Sequence, residues 1–304
     1  MFYRPLRIYY ILKILMDYLP PIVTCPIPET SEELYLDLLK RCLTRALFAK
    51  GVVRHRIDPG RFSLRLLNKF IQATLTPLHL ELMHLKQSGL ADYIESNHAA
   101  RTRMEDAETM LGIKQLDQMQ ACITDVVRRK VRGDVLEAGV WRGGMTIFMR
   151  GVLKAVGEHQ RRIWVADSFE GLPDPEKASD SFGWKKGAMA VSLDQVRSNF
   201  ARYGLLDEQV VFLKGLFNET LPGAGIVALS VLRVDADLYE STRDVLHHLY
   251  PKLSTGGYAI FDDYQNLKDC QRAIDEYRLQ HHIEDTIVKI DKRAVYWVKS
   301  AREA

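Results

Sequence analysis

From Arg132 onward, short β-branched runs alternate with amphipathic helical stretches, and this alternation restricts the architecture more than any other feature of the chain. Strands are expected at Asp134 to Ala138, Ile163 to Ala166, Val210 to Lys214, Val227 to Val234 and Tyr258 to Phe261. Helices are expected between them, around Thr146 to Val156, Leu193 to Tyr203 and Thr242 to Leu253. Such a pattern means a mostly parallel, doubly wound sheet with helices on both faces. The last two runs, Thr286 to Ile290 and Ala294 to Lys299 around Asp291-Lys-Arg, read as an antiparallel hairpin at the sheet edge.

Acidic residues stand at the ends of these strands. Asp235 and Asp237 close VLRVDADLYEST, and Asp262 and Asp263 close YAIFDDYQN. A bare carboxylate at the end of a buried strand is costly to desolvate without a cation or a donor, so a divalent metal is the economical explanation. Oxygen-only ligation favours Mg²⁺, and the missing His/Cys cluster argues against zinc. Taken alone, each pair also fits a helix cap or a turn; their joint occurrence at successive strand ends favours a site.

Upstream, GDVLEAGVWRGGMTIFMRGVL runs from a strand through a glycine-rich turn into a helix. Gly139, Gly143 and Gly144 permit close backbone approach to a ligand, and Glu137 lies near the strand's carboxyl end, where open α/β sheets bind ligands. The next strand ends in Asp167, placed to accept hydrogen bonds from a ribose diol. The turn is not GxGxxG, which disfavours a nicotinamide dehydrogenase. A nucleoside without a pyrophosphate fits better, and S-adenosylmethionine is the obvious one.

A chain of 304 residues with 47% hydrophobic and 27% charged content is ordinary for a globular protein. Its net charge of +3 is too small to imply nucleic acid. Cys25, Cys42, Cys122 and Cys270 are dispersed, which suits a reduced compartment and a cytoplasmic location. The opening stretch is apolar, but Lys13 and Asp17 interrupt it and it falls short of a membrane span. Ile8, Ile11, Leu12, Leu15 and Leu19 would share one helical face, so residues 1–30 are expected to form an amphipathic extension that docks on this protein or a second subunit, with peripheral membrane contact as the alternative. Residues 31–132, starting at a Ser31 cap, read as a helical lid and assembly region that includes the leucine-rich Arg61 to Gly89, and residues 133–304 as the sheet-bearing domain. The long segment from Asp167 to Ser192 has the character of a lid.

With these residues in view, the chain resembles the macrocin O-methyltransferase family. The matching segments are LYLDLLKRCLT, ETMLGIKQLDQMQ, GDVLEAGVWRGG, VADSFEGLP, VSLDQVRSNFARYGLLDEQVVFLKG, DADLYEST and FDDY. The resemblance implies a Rossmann-like, class I, S-adenosylmethionine-dependent methyltransferase of sugar hydroxyls, a homo-oligomer with a small-molecule glycoside as acceptor. It also implies Asp235, Asp262 and Asp263 as metal ligands and Asp237 as general base. Glu137, Gly139, Trp141, Gly143 and Gly144 would line the methionine end of the cofactor. Asp167, Ser168 and Phe169 would line its ribose and adenine side, Thr109 and Met110 its outer wall, with Gly215, Phe217 and Asp235 completing the set. The chain departs from the family at Gly215-Leu-Phe-Asn-Glu-Thr-Leu-Pro, which leaves adenine packing by Leu216 open.

Two rivals remain at this level. Asp235-Ala-Asp237 is also the metal-binding triplet of many nucleotide-sugar glycosyltransferases, although these do not require EAGVWRGG or Asp167. A cofactor-binding subunit without turnover is the other, and the intact acidic set argues against it.

Overall fold

The computed structural model describes residues 29–45, 107–175 and 182–301. The amphipathic face from Ile8 to Leu19, with its assembly and membrane-surface roles, and the stretch Arg61 to Gly89 lie outside the described residues. Helix α1 (Ser31–Leu43) opens on a capping box, in which Thr30 Oγ1 accepts from Glu33 N–H at 3.1 Å and the Glu33 carboxylate accepts from Thr30 N–H at 3.3 Å. The cap is thus Thr30, one residue before the expected Ser31. Helix α2 (Ile113–Arg128) leads into β1 (Asp134–Ala138), α3 (Gly144–Ala155), β2 (Ile163–Asp167), α4 (Leu193–Arg202) and β3 (Val210–Lys214). The chain continues through the short α5 (Phe217–Thr220), β4 (Leu229–Val234), α6 (Tyr239–Leu249), β5 (Leu253–Phe261), α7 (Lys268–Gln280), β6 (Val288–Lys289) and β7 (Val295–Val298).

The seven strands form one sheet in the order β3-β2-β1-β4-β5-β7-β6. The first five are parallel; β7 runs antiparallel to β5, and β6 antiparallel to β7 at the edge, as the hairpin expectation required. Period-two alternation sends side chains to opposite layers. Val135, Ile163, Val165, Val231 and Ile260 pack with α1, α2, α3 and α4, through residues such as Leu39, Ile123, Phe148 and Phe200. Leu136, Trp164, Leu232, Val234 and Phe261 pack with α6 and α7 on the other face. Each fully buried side chain of this kind contributes about 1.5–3 kcal/mol, so a sheet covered on both faces needs near-continuous apolar strands. All six residues of β4 are buried accordingly.

Several boundaries differ from expectation, among them the start of β5, at Leu253 instead of Tyr258, and the extent of β6, Val288–Lys289 instead of Thr286 to Ile290. Helix α6 ends at Leu249 and a single 3₁₀ turn, Tyr250–Lys252, follows; Leu253 already belongs to β5, not to the helix. Pro251 explains this, since it has no N–H to continue the helical ladder. Strand β4 begins at Leu229, and Val227 is exposed.

Candidate active site

The chain winds outward from β1 through β2 to β3, then returns to the opposite side of β1 as β4. The carboxyl ends of β1 and β4 therefore flank a topological switch point, where open α/β sheets leave a crevice. A cavity of about 580 Å³ opens there, lined by residues from the β1 turn, the β2 end, the β4 end and the β5 end.

The glycine-rich turn closes this crevice by bringing the protein's own segments together. Gly139 has φ +84°, and a Cβ placed on it would lie 1.8 Å from the Asp235 carbonyl oxygen. Gly144 is also closely approached: its Cβ would meet the Glu108 carbonyl oxygen at 2.4 Å, and its N–H donates to that oxygen at 3.0 Å. That contact seats residues 108–110 against α3, so Thr109 and Met110 reach the cavity wall. The buried Glu108 carboxylate anchors the same segment, accepting from Arg45 at 3.2 Å, Arg202 at 2.8 Å and the Tyr203 hydroxyl at 2.8 Å.

Asp167 clasps two turns. Its Oδ2 accepts from Val140 N–H and its Oδ1 from Phe169 N–H, both at 2.8 Å. This carboxylate lines the cavity, together with Ser168, Gly215, Leu216 and Phe217. Trp141 also lines it, with the Arg142 guanidinium 4.4 Å from its ring centroid. Two expected residues are not brought into the lining. The Phe169 side chain is buried in the apolar layer beside Phe212, at 6.3 Å between centroids, and Gly143 caps α3 in a left-handed conformation.

At the floor, the β1/β4 register sets Glu137 opposite Arg233. Arg233 is 1% exposed and its Nη1 donates to Glu137 Oε1 at 2.5 Å and Asp235 Oδ2 at 2.9 Å. Its Nη2 donates to Asp262 Oδ1 at 2.8 Å and to Gln115 Oε1 at 3.4 Å. Arg293, on the turn between β6 and β7, donates from Nη2 to Asp262 Oδ2 at 3.2 Å and to Asp263 Oδ1 at 2.7 Å. The carboxylates that converge as a potential ion site are Asp235, Asp237 and Asp263, with ligand atoms within 4.8 Å of one another. Asp262 instead spends both oxygens on arginines.

Asp237 gets there by a route the sequence reading did not anticipate. Strand β4 stops at Val234, and the chain is no longer extended at Asp237, which has φ +57°. Leu238 N–H donates to the Ala236 carbonyl at 2.6 Å, which makes Asp237 the centre of a γ-turn, a conformation non-glycine residues adopt only at a cost of order 1–3 kcal/mol.

Five carboxyl groups and two guanidinium groups leave the floor short of positive charge. Burial pushes the Glu137 carboxyl up to about 7, against the pull of Arg233, and its Oε2 has no hydrogen-bond partner. Burial also raises Asp235 and Asp237 well above the carboxylate range, reinforced for Asp235 by Asp262 and for Asp237 by Asp263. Asp263 moves the same way from burial and the neighbouring Asp262, and its Oδ2 is buried without a partner. Orphaned buried oxygens in an excess of negative charge are what a divalent cation with oxygen ligands, or a ligand ammonium, would satisfy.

Two groups escaped the sequence reading. Arg233 is visible there only as one charge inside an apolar run, and Arg293 has no local signal at all. Trp184 also lines the cavity, its ring 4.7 Å from that of Phe182.

Residues 32–299 match the family model described as macrocin-O-methyltransferase (TylF). The chain belongs to that family. Among curated relatives, the demethyldecarbamoylnovobiocin O-methyltransferase of Streptomyces niveus is 44% identical over 287 residues, covering 90% of this chain and 99% of the relative. The mycinamicin III 3''-O-methyltransferase of Micromonospora griseorubida is 42% identical, with 90% and 99% covered. The solved structure of the O-methyltransferase NovP superposes with a TM-score of 0.72 at 38% identity, covering 89% of this chain and 100% of that one. This macrocin-O-methyltransferase family member is thus an O-methyltransferase with a class I fold, and the glycosyltransferase reading of Asp235-Ala-Asp237 falls away. No helix among the described residues is long and apolar enough to cross a membrane.

Proposed function

We propose that the protein transfers the methyl group of S-adenosylmethionine to a sugar hydroxyl of a glycosylated natural product, with a divalent cation, Mg²⁺ in the first instance, at the acidic floor. The observation that carries this reading is the convergence of Asp235, Asp237 and Asp263 in the same cavity as the glycine turn and Asp167. The substrate class rests on the relatives, which are named for methylation of novobiocin-type, tetracenomycin and mycinamicin compounds.

In this reading Glu137 accepts the cofactor ammonium through its orphaned Oε2, and Asp167, oriented by two backbone N–H groups, accepts from the ribose diol. The cofactor supplies the electrophilic methyl group. Asp235 and Asp263 would hold the cation, with Asp262 as third once Arg293 releases its Oδ2, and the ion would supply Lewis acidity to the acceptor oxygen. Asp237 adjoins Asp235 and Asp263, and its raised proton affinity suits a base that takes the hydroxyl proton. Phe182 and Trp184 add an aromatic pair to the lining of the same cavity. Vicinal diols would be favoured as acceptors, because a second hydroxyl would offer the cation another oxygen donor.

The test is methyl transfer from labelled S-adenosylmethionine to a panel of glycosides with vicinal hydroxyls. Chelation should abolish product and Mg²⁺ restore it. Full turnover after exhaustive chelation removes the metal from the reading, and transfer only to non-sugar acceptors removes the substrate class.

A further inference from the structure

The two arginines of the floor are built differently. Arg233 is locked in β4 and divides its guanidinium among three carboxylates and Gln115. Arg293 stands at the cavity wall with its side chain 22% exposed, and reaches Asp262 and Asp263 through Nη2 alone, not as a two-pronged fork. Its Nε is buried without a partner. The turn beneath it is held by Asp291, whose Oδ1 accepts from Arg293 N–H and Ala294 N–H, both at 2.8 Å. The guanidinium is therefore positioned from below but only lightly held at its tip.

Resting on the metal reading above, we propose that Arg293 is a resident counter-cation, which the divalent ion must displace from Asp263 and which thereby sets the affinity of the site. Asp262 and Asp263 are adjacent, 1% and 3% exposed, and without a cation their charges would be buried together. Arg293 relieves that repulsion in the metal-free protein. A divalent ion at the same oxygens brings twice the charge, and the guanidinium then becomes a like charge beside it. Asp263 Oδ2, already without a partner, is the oxygen from which the exchange begins.

The proposal makes two observables move in opposite directions. In the full-length protein, Arg293→Gln should lower the melting temperature in chelator, yet bind Mn²⁺ about tenfold more tightly by calorimetry, since a unit charge next to the ion has been removed. Arg293→Lys should stay near wild type in both. A role confined to pinning the turn would lower the melting temperature and leave Mn²⁺ affinity unchanged or weaker, which overturns the proposal. Should Arg293→Gln lack a cooperative melt, Asp291→Ala releases the turn while leaving the floor carboxylates intact, and the same tightening is expected of it; weaker or equal Mn²⁺ binding there overturns the proposal. If the wild-type protein binds no Mn²⁺, the metal reading fails and the proposal with it, whereas binding by wild type without tightening in the variants sinks the proposal alone.

Discussion

Replacing Gly139 by alanine tests the geometry of the switch point directly. The new Cβ would sit 1.8 Å from the Asp235 carbonyl oxygen, where contacts under 3.0 Å essentially never occur, so β1's turn and β4's end must part by roughly 1.2 Å. The left-handed φ of +84° adds about 1–2 kcal/mol for any residue with a Cβ. Overpacking against backbone, which cannot rotate away, adds about 1–3 kcal/mol. The expected loss is therefore about 2–5 kcal/mol of unfolding free energy, measured by urea titration with the slope unchanged. The same displacement moves Asp235, so Mn²⁺ binding should weaken together with binding of S-adenosylmethionine. A variant within about 0.5 kcal/mol of wild type, with both affinities intact, would refute the claim that this glycine is required by close approach.

Further outcomes are expected at the floor and its rim. Asp237→Asn keeps the shape but not the proton acceptor, so kcat should fall by about 10²–10⁴ with metal and cofactor still bound; rescue by excess Mg²⁺ would reassign Asp237 to ligation. Asp235→Asn should lose metal affinity first, and recover part of its activity at high Mg²⁺. Asp167→Asn turns an amide N–H toward Val140 or Phe169 N–H, so the cofactor dissociation constant should rise by an amount matching about 1.5–3 kcal/mol; an unchanged value in calorimetry rejects the ribose contact. Because the Glu137 carboxyl is raised from 4.5 to about 7, the native state retains a proton that the unfolded chain has released between those values. The metal-free protein should then lose stability as pH rises through that window, by about 3 kcal/mol from Glu137 alone. Asp235, Asp237 and Asp263 act in the same direction, and Glu137→Gln should flatten the profile. Urea midpoints in chelator that hold steady or climb with pH would contradict this.

Strands β1 to β4 were legible because burial on both faces demands unbroken apolar runs, and such runs stand out. The first half of β5, Leu-Ser-Thr-Gly-Gly, did not, because Gly257 is there to let β5 approach the Ser230 carbonyl, where a Cβ would lie at 2.8 Å. Asp235, Asp262 and Asp263 were recognisable as carboxylates at strand mouths. Which of them meet was not, since it depends on the γ-turn at Asp237 and on two arginines, one 29 residues before Asp262 and the other 31 after it. The glycines were read as making room for a ligand; they make room for Asp235 and Glu108, contacts that span up to about a hundred residues and have no local signature.

Arg233 touches both Glu137 and Asp235 through Nη1 and Asp262 through Nη2, so one guanidinium is common to the proposed cofactor and cation subsites. Neutralising Glu137 with a ligand ammonium leaves more of that shared charge for the two aspartates, and placing a cation among the aspartates leaves more of it for Glu137. Occupancy of one subsite therefore alters the other without any movement of the backbone, and thermodynamic reciprocity requires the factor to be the same in both directions. Cation affinity measured with and without saturating S-adenosylmethionine, and cofactor affinity measured with and without saturating cation, should differ by equal ratios. Each ligand should weaken the other, giving the enzyme a built-in negative cooperativity between its two smallest guests.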